Sequence, residues 1–250
     1  MSITATPSLE VVTGEVLARR FLDACAEIET TLKNRYEAGG TGLGTIVREV
    51  QGRDAVVRRN RAALDAFTAL RNVLAHSSYK GGAPVAAPLS STVEAIERLR
   101  DEISQPRRAL DLAVRDVLTA HERDPLPGLL RVMASKDISQ VPIYLADGSV
   151  RLLTTNAIAR WVAAHLDSDD VVLIQAGEIA EALEHAEAHE VIVTEKRAVT
   201  AARVLDRLTR DEAPLAVLIT ETGRPGESPL GILSTADVPR LVQELTVTAY

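Results

Sequence analysis

The sequence is short of aromatic residues, of sulfur and of long apolar runs, and each shortage narrows what it can be. Phenylalanine, tryptophan and tyrosine together make up 3% of 250 residues, so any core has to be built from Leu, Val, Ile and Ala. A lone cysteine, Cys25, has no partner for an internal disulfide, which points to a reducing, cytoplasmic compartment. No apolar run approaches the roughly 18 to 20 residues that span a bilayer, so no membrane partner is expected. The opening MSITATPSLE lacks the basic and apolar regions of a secretory signal. What remains, 46% hydrophobic and 25% charged, is ordinary for a globular protein and long enough for two or three small domains.

The net charge of −7 is unevenly spread. Residues 1–105 carry 13 Lys and Arg against 13 Asp and Glu, whereas residues 106–250 carry 15 against 22. Eleven of the 13 early cations are arginine, including Arg58, Arg59 and Arg61. Arginine suits bidentate phosphate contacts, and the acidic remainder is a poor platform for nucleic acid. If RNA binds anywhere, it binds the first part. A solvated helix face is the commoner explanation of such an arginine cluster.

Apolar residues from Val12 through Val16, Leu17, Phe21, Cys25, Ile28 and Leu32 recur at helical spacing and predict a helix from Leu9 to about Glu37. EAGGTGLG ends it; no strand precedes these glycines and no Gly-Lys-Ser/Thr follows, so they read as a loop. LGTIVREVQG predicts a short helix. Asp54 then caps a long helix through His76, with Val57, Leu64, Phe67, Leu70 and Leu74 as its core face. SSYKGGAPVAAPLSS is a loop by composition, and a further helix opens at Ser91 or Thr92 and stops before Pro106. Four helices without a strand signal predict an all-α bundle.

After Pro106 short apolar runs alternate with helical ones. QVPIYL, SVRLLT, VIVTE and LAVLIT predict strands, and PGLLRVMAS, NAIARWVAAHL and TAARVLDRLTR predict helices. The pattern repeats: LLTTNAIARWV (152–162) lies over ILSTADVPRLV (232–242) at a period of 80 residues. Two copies of one α/β unit are expected to pack together. The whole chain is thus α+β and multidomain, with boundaries at 1–105, 106–168 and 169–250.

DISQVPIYLADGSVRLLTTNAIARWV and GILSTADVPRLV carry a resemblance to the CBS (cystathionine β-synthase type) domain, whose signature ends in Gly-hydrophobic-hydrophobic-Ser/Thr-x-x-Asp. The resemblance implies a pair of such domains holding an adenosine-containing ligand, here an adenine nucleotide (ATP, ADP or AMP) as regulator. It implies that Ser234 or Thr154 contacts phosphate or ribose and that Asp237 holds the ribose hydroxyls. The first copy keeps Thr154 but has Ala157 at the Asp position and Arg151 at the leading Gly. A CBS pair that binds nothing is the alternative.

FTALRNVLAHSSY (67–79) places Arg71, Asn72 and His76 late on the long helix, and Asn72 and His76 share one face. Arg-x4-His in a helical bundle resembles the HEPN domain (higher eukaryotes and prokaryotes nucleotide-binding). That resemblance implies metal-independent RNA cleavage by a toxin or stress effector. A His near its ordinary pKa can act as base or acid, and Arg offsets the charge on phosphorus. A chain offers one such His, so a complete site implies a homodimer. The alternative is a non-catalytic nucleotide sensor whose bundle serves dimerisation or partner docking. Tyr79 follows as His-x-x-Tyr rather than the His-x-Tyr of some HEPN toxins, and no role is carried to it. No metal site is expected: His185 and His189 read as one solvated helix face, and His121 and His165 as linker residues.

Overall fold

The spacing of apolar residues becomes a set of packed helices. A computed structural model describes residues 14–76, 86–166 and 177–249, and its chain forms two units. One takes in Met1–Pro106 and Leu245–Tyr250, the other Arg107–Glu244. In the first, α1 (Gly14–Tyr36) buries Leu17, Phe21, Ala24, Cys25, Ile28 and Leu32. It packs on α2 (Leu43–Val50), α4 (Arg61–His76) and α5 (Ser90–Ser104), while α3 (Ala55–Arg59) lies against α4 and α5. Phe21 meets Phe67 edge-on at 6.0 Å, and Arg20 grips Glu97 with two bonds of 2.9 and 2.7 Å. Val16, expected inside, is 48% exposed, and Val12 lies outside the described residues.

The long helix expected from Asp54 to His76 is two helices. Asp54 does cap the first, accepting from the amides of Val56 and Val57 at 2.8 and 3.0 Å. At Asn60 the backbone leaves helical geometry (φ −97, ψ 22). The Asn60 side chain, 2% exposed, explains the break. Its amide nitrogen donates to the carbonyls of Val56 and Leu245, and its oxygen accepts from the Val247 amide at 2.7 Å. The last residues of the chain, placed with the second repeat from sequence, thus belong with the helical unit. The expected four helices are five among the described residues.

The second unit contains two three-stranded sheets of one design. β1 (Ala120–His121) runs parallel to β2 (Gln140–Tyr144), which pairs antiparallel with β3 (Val150–Thr154). β4 (Ile192–Lys196) runs parallel to β5 (Ala216–Thr220), which pairs antiparallel with β6 (Gly231–Ser234). β2, β3, β4 and β5 fall where the short apolar runs predicted strands. α7 (Leu126–Lys136) and α10 (Ala201–Leu208) are the crossovers, and α8 (Thr155–Ala164) and α11 (Val238–Leu245) follow the third strands. The β5–β6 turn needs glycine at 223: its φ is +91 and a Cβ would sit 3.1 Å from the Lys196 amide.

The repeats exchange their lead-in segments. Residues 107–119, with the short helix α6 (Ala109–Leu112), reach the second sheet, where Val114 and Ile232 exchange backbone bonds of 3.1 and 2.9 Å. The segment carrying α9 (Ile179–Leu183) enters the first core, adding Ile179, Ala182 and Leu183 to a cluster around Trp161. Each repeat is therefore completed by the other. Among the described residues no helix is long and apolar enough to cross a membrane.

Candidate functional site

Pairing register makes Thr154 and Ser234 equivalent. Thr154 faces Gln140, the first residue of its central strand, and Ser234 faces Ala216, the first of its own. Each then starts the chain into a helix, and each is followed six residues later by an arginine, Arg160 or Arg240. Each arginine donates to a carbonyl of the other repeat's lead-in: Arg160 to His185 at 2.7 Å and Arg240 to Leu112 at 2.8 Å. The two corners share a frame and differ in where their carboxylate comes from.

At the first corner the carboxylate is Glu190, from the lead-in of the second repeat. Its side chain is 1% exposed. Oε1 accepts from the Thr154 hydroxyl at 2.6 Å; Oε2 accepts from the Glu187 amide at 2.8 Å and from the Arg160 guanidinium. Burial pushes the Glu190 pKa up, but the Thr154 hydroxyl, the Glu187 amide and Arg160 outweigh it, and the pKa stands below the ordinary range. Thr154 also caps α8 by accepting from the Ala157 amide at 3.0 Å. Its hydroxyl proton and an oxygen lone pair are committed inside the protein.

At the second corner the carboxylate lies three residues on. Asp237 Oδ2 accepts from the Ser234 amide at 2.9 Å and faces the Ser234 hydroxyl at 3.3 Å. Oδ1 accepts from Arg240 at 2.9 Å. Ser234 and Asp237 form a reciprocal capping box, the local role that Ser-x-x-Asp has at any helix start. This corner is open: the Asp237 side chain is 21% exposed and that of Arg240 44%. Both groups can exchange their partners for a ligand without unburying a charge.

On the helical unit, Arg71 is half-buried, Asn72 is exposed, and Arg71 Nη1 lies 3.4 Å from Asn72 Oδ1. Arg71 also acts on Cys25: burial pushes that thiol up to about 12, while the guanidinium pulls in the other direction. His76 is the last residue of α4; its side chain and Tyr79 lie outside the described residues. Arg71 and Asn72 are together on this helix, and Thr154, Ser234 and Asp237 stand at two separate corners of the other unit.

The remaining histidines are placed differently from their expected settings. α9 ends at Leu183, so His185 and His189 do not share a helix face. His121 lies in β1, and His165 closes α8 with its ring 4.9 Å from Trp161 and 5.9 Å from His185. Among the described residues no group of three His, Cys, Asp or Glu could hold a metal. Glu190 was missed from sequence, because Thr154 and Arg160 lie 36 and 30 residues away from it.

No protein-family model matches the chain, and neither does any curated protein. Solved structures do. A CBS domain pair determined with 5′-methylthioadenosine and S-adenosyl-L-methionine is 16% identical, over 55% of this chain and 97% of that one, with a TM-score of 0.40. A CBS-domain protein of Agrobacterium tumefaciens is 21% identical, over 53% and 89%, with a TM-score of 0.38. The CBS domain of a bacterial CNNM/CorC-family Mg2+ transporter, determined with ATP, is 13% identical, over 60% and 96%, with a TM-score of 0.42.

Proposed function

We propose that the chain is a nucleotide-responsive regulatory protein, in which the second unit takes one adenine nucleotide at the Ser234–Asp237 corner and the helical unit delivers the response. The observation that carries this reading is the contrast between equivalent corners. One is filled by the protein's own Glu190, and the other leaves a carboxylate and an arginine open to solvent. A ribose diol donates two hydrogen bonds to a carboxylate, and Arg240 and the Ser234 hydroxyl match phosphate. Calorimetric titration of the full chain with ATP, ADP and AMP tests it. Saturable heat with at least one nucleotide is expected; silence with all three, without a shift in Tm, contradicts it.

The response we propose is metal-independent cleavage of RNA by Arg71, Asn72 and His76. Arg71 and an exposed Asn72 stand side by side on α4, as this reading needs. Arg71 would offset charge on the phosphate, Asn72 would hold it, and His76 would transfer the proton of the attacking 2′-hydroxyl. With one His76 per chain, a homodimer would supply the acid and the base. Cleavage should persist in chelator and vanish in His76→Ala and Arg71→Ala. Equal inertness of wild type and His76→Ala on single-stranded and structured RNA removes this reading and leaves the docking one.

A further inference from the structure

The turn that joins α2 to α3 gathers charge of one sign. Residues 48–61 hold five arginines, Arg48, Arg53, Arg58, Arg59 and Arg61, against two acids, Glu49 and Asp54. Both acids already serve the fold. Asp54, 5% exposed, accepts from the Val56 and Val57 amides and from the Tyr36 hydroxyl at 2.8 Å. Glu49 accepts from the Gly39 and Gly40 amides at 3.2 Å each.

The arginines are set by the same turn, and Arg48, Arg53 and Arg58 face water. Arg58 Nη1 donates to the Gln51 and Gly52 carbonyls at 3.2 and 3.3 Å. Arg53 donates to the Tyr36 carbonyl at 3.3 Å, and its guanidinium lies 4.9 Å above the centre of the Tyr36 ring. Arg48 stands on the last turn of α2. Arg61 is paired with Asp65 at 2.8 Å and adds no charge to the set. A guanidinium anchored by carbonyls loses little freedom on meeting an anion, and its planar fork matches phosphate. A guanidinium plane resting on a ring is also a platform on which an unpaired base stacks.

We infer that Arg48, Arg53 and Arg58 form a landing surface for single-stranded RNA, apart from the residues proposed to cut it. The inference rests on the RNA reading of the helical unit, and it adds where the strand is held. α4 begins at Arg61, beside the turn, and ends at His76. A helix of that length spans about 24 Å, so the turn and the Arg71–His76 end touch different nucleotides of one strand. An acidic protein segment fits less well, because it brings carboxylates but no base for the Arg53–Tyr36 stack.

Binding is measured by fluorescence anisotropy of a labelled single-stranded RNA at several salt concentrations. The full chain carries His76→Ala, so that cleavage plays no part. Each phosphate contact on a single strand contributes about 0.7 to the slope of log affinity against log salt. Arg48→Ala and Arg53→Ala should each lower that slope by about 0.7, and the double variant by about 1.4. Arg98, exposed on α5 with Glu94 and Glu102 one turn to either side, provides the control: Arg98→Ala should leave the slope unchanged. An unchanged slope in Arg48→Ala, or an equal loss in Arg98→Ala, overturns the surface. So does the absence of RNA binding at low salt, or a preference for polyglutamate over RNA. Cleavage is read separately on the wild type. RNA bound through these arginines and left uncut removes the ribonuclease reading and keeps the surface.

Discussion

The corner after β3 and the corner after β6 use one frame for opposite ends. Both begin with a hydroxyl residue opposite the start of the central strand, and both hold an arginine six residues on. In the first, helix position 157 is alanine and the carboxylate arrives from outside the repeat, as a buried Glu190. In the second, position 237 supplies the carboxylate itself, and among the described residues no buried acid is brought in. A carboxylate that comes with the helix stays accessible, whereas one brought by a packed lead-in is sealed. The same chemistry thus makes a structural latch in one repeat and an open corner in the other.

The largest stability difference between the corners should come from the latch. Glu190→Ala removes the acceptor of Thr154, Arg160 and the Glu187 amide. It should cost about 2–3 kcal/mol in urea unfolding, less than a fully buried pair because Arg160 keeps contact with water. A loss as small as that of a surface acid would mean that Glu190 seals nothing. Thr154→Val keeps the shape but deletes both the hydroxyl donor and the α8 cap, at about 1–2 kcal/mol. Ser234→Ala, at the open corner, should cost about 0.5–1 kcal/mol, a cap alone. Equal costs for the two hydroxyls would erase the contrast.

The finest distinction is in acid. Glu190 has its folded pKa below the unfolded one, so its ionisation contributes stability that is complete above the unfolded value, about 4.3, and fades as the pH falls through the folded value. Glu190→Gln should therefore flatten the acid limb of the stability curve below about pH 4. An acid limb identical to wild type would show that Glu190 does not carry this charge-dependent stability.

Much of the second unit is legible in its sequence because its strands are short apolar runs set between helical stretches and the pattern repeats. β2, β3, β4 and β5 stand where those runs put them. β1, two residues long, has no period to read. The failures lie where a partner is distant. Nothing near Asn60 in RRNRAAL interrupts a helical pattern; the break comes with a tail 185 residues away. Glu190 ends the acidic, histidine-bearing stretch EHAEAHE, and its partners Thr154 and Arg160 lie 36 and 30 residues before it. Ser234 and Asp237 stand in the stretch that carries the family resemblance, and their spacing of three is that of a capping box.

The central claim is that one corner binds and its equivalent is already filled. Calorimetric titration of the wild type, Asp237→Ala and Thr154→Val with the nucleotide that binds tests this directly. The account predicts one site per chain. Asp237→Ala should weaken it about ten- to a hundredfold, the loss of hydrogen bonds to a charged acceptor. Thr154→Val should leave the affinity within about twofold, since that hydroxyl already serves Glu190. Two equivalent sites per chain, or tight binding that survives Asp237→Ala, would contradict it.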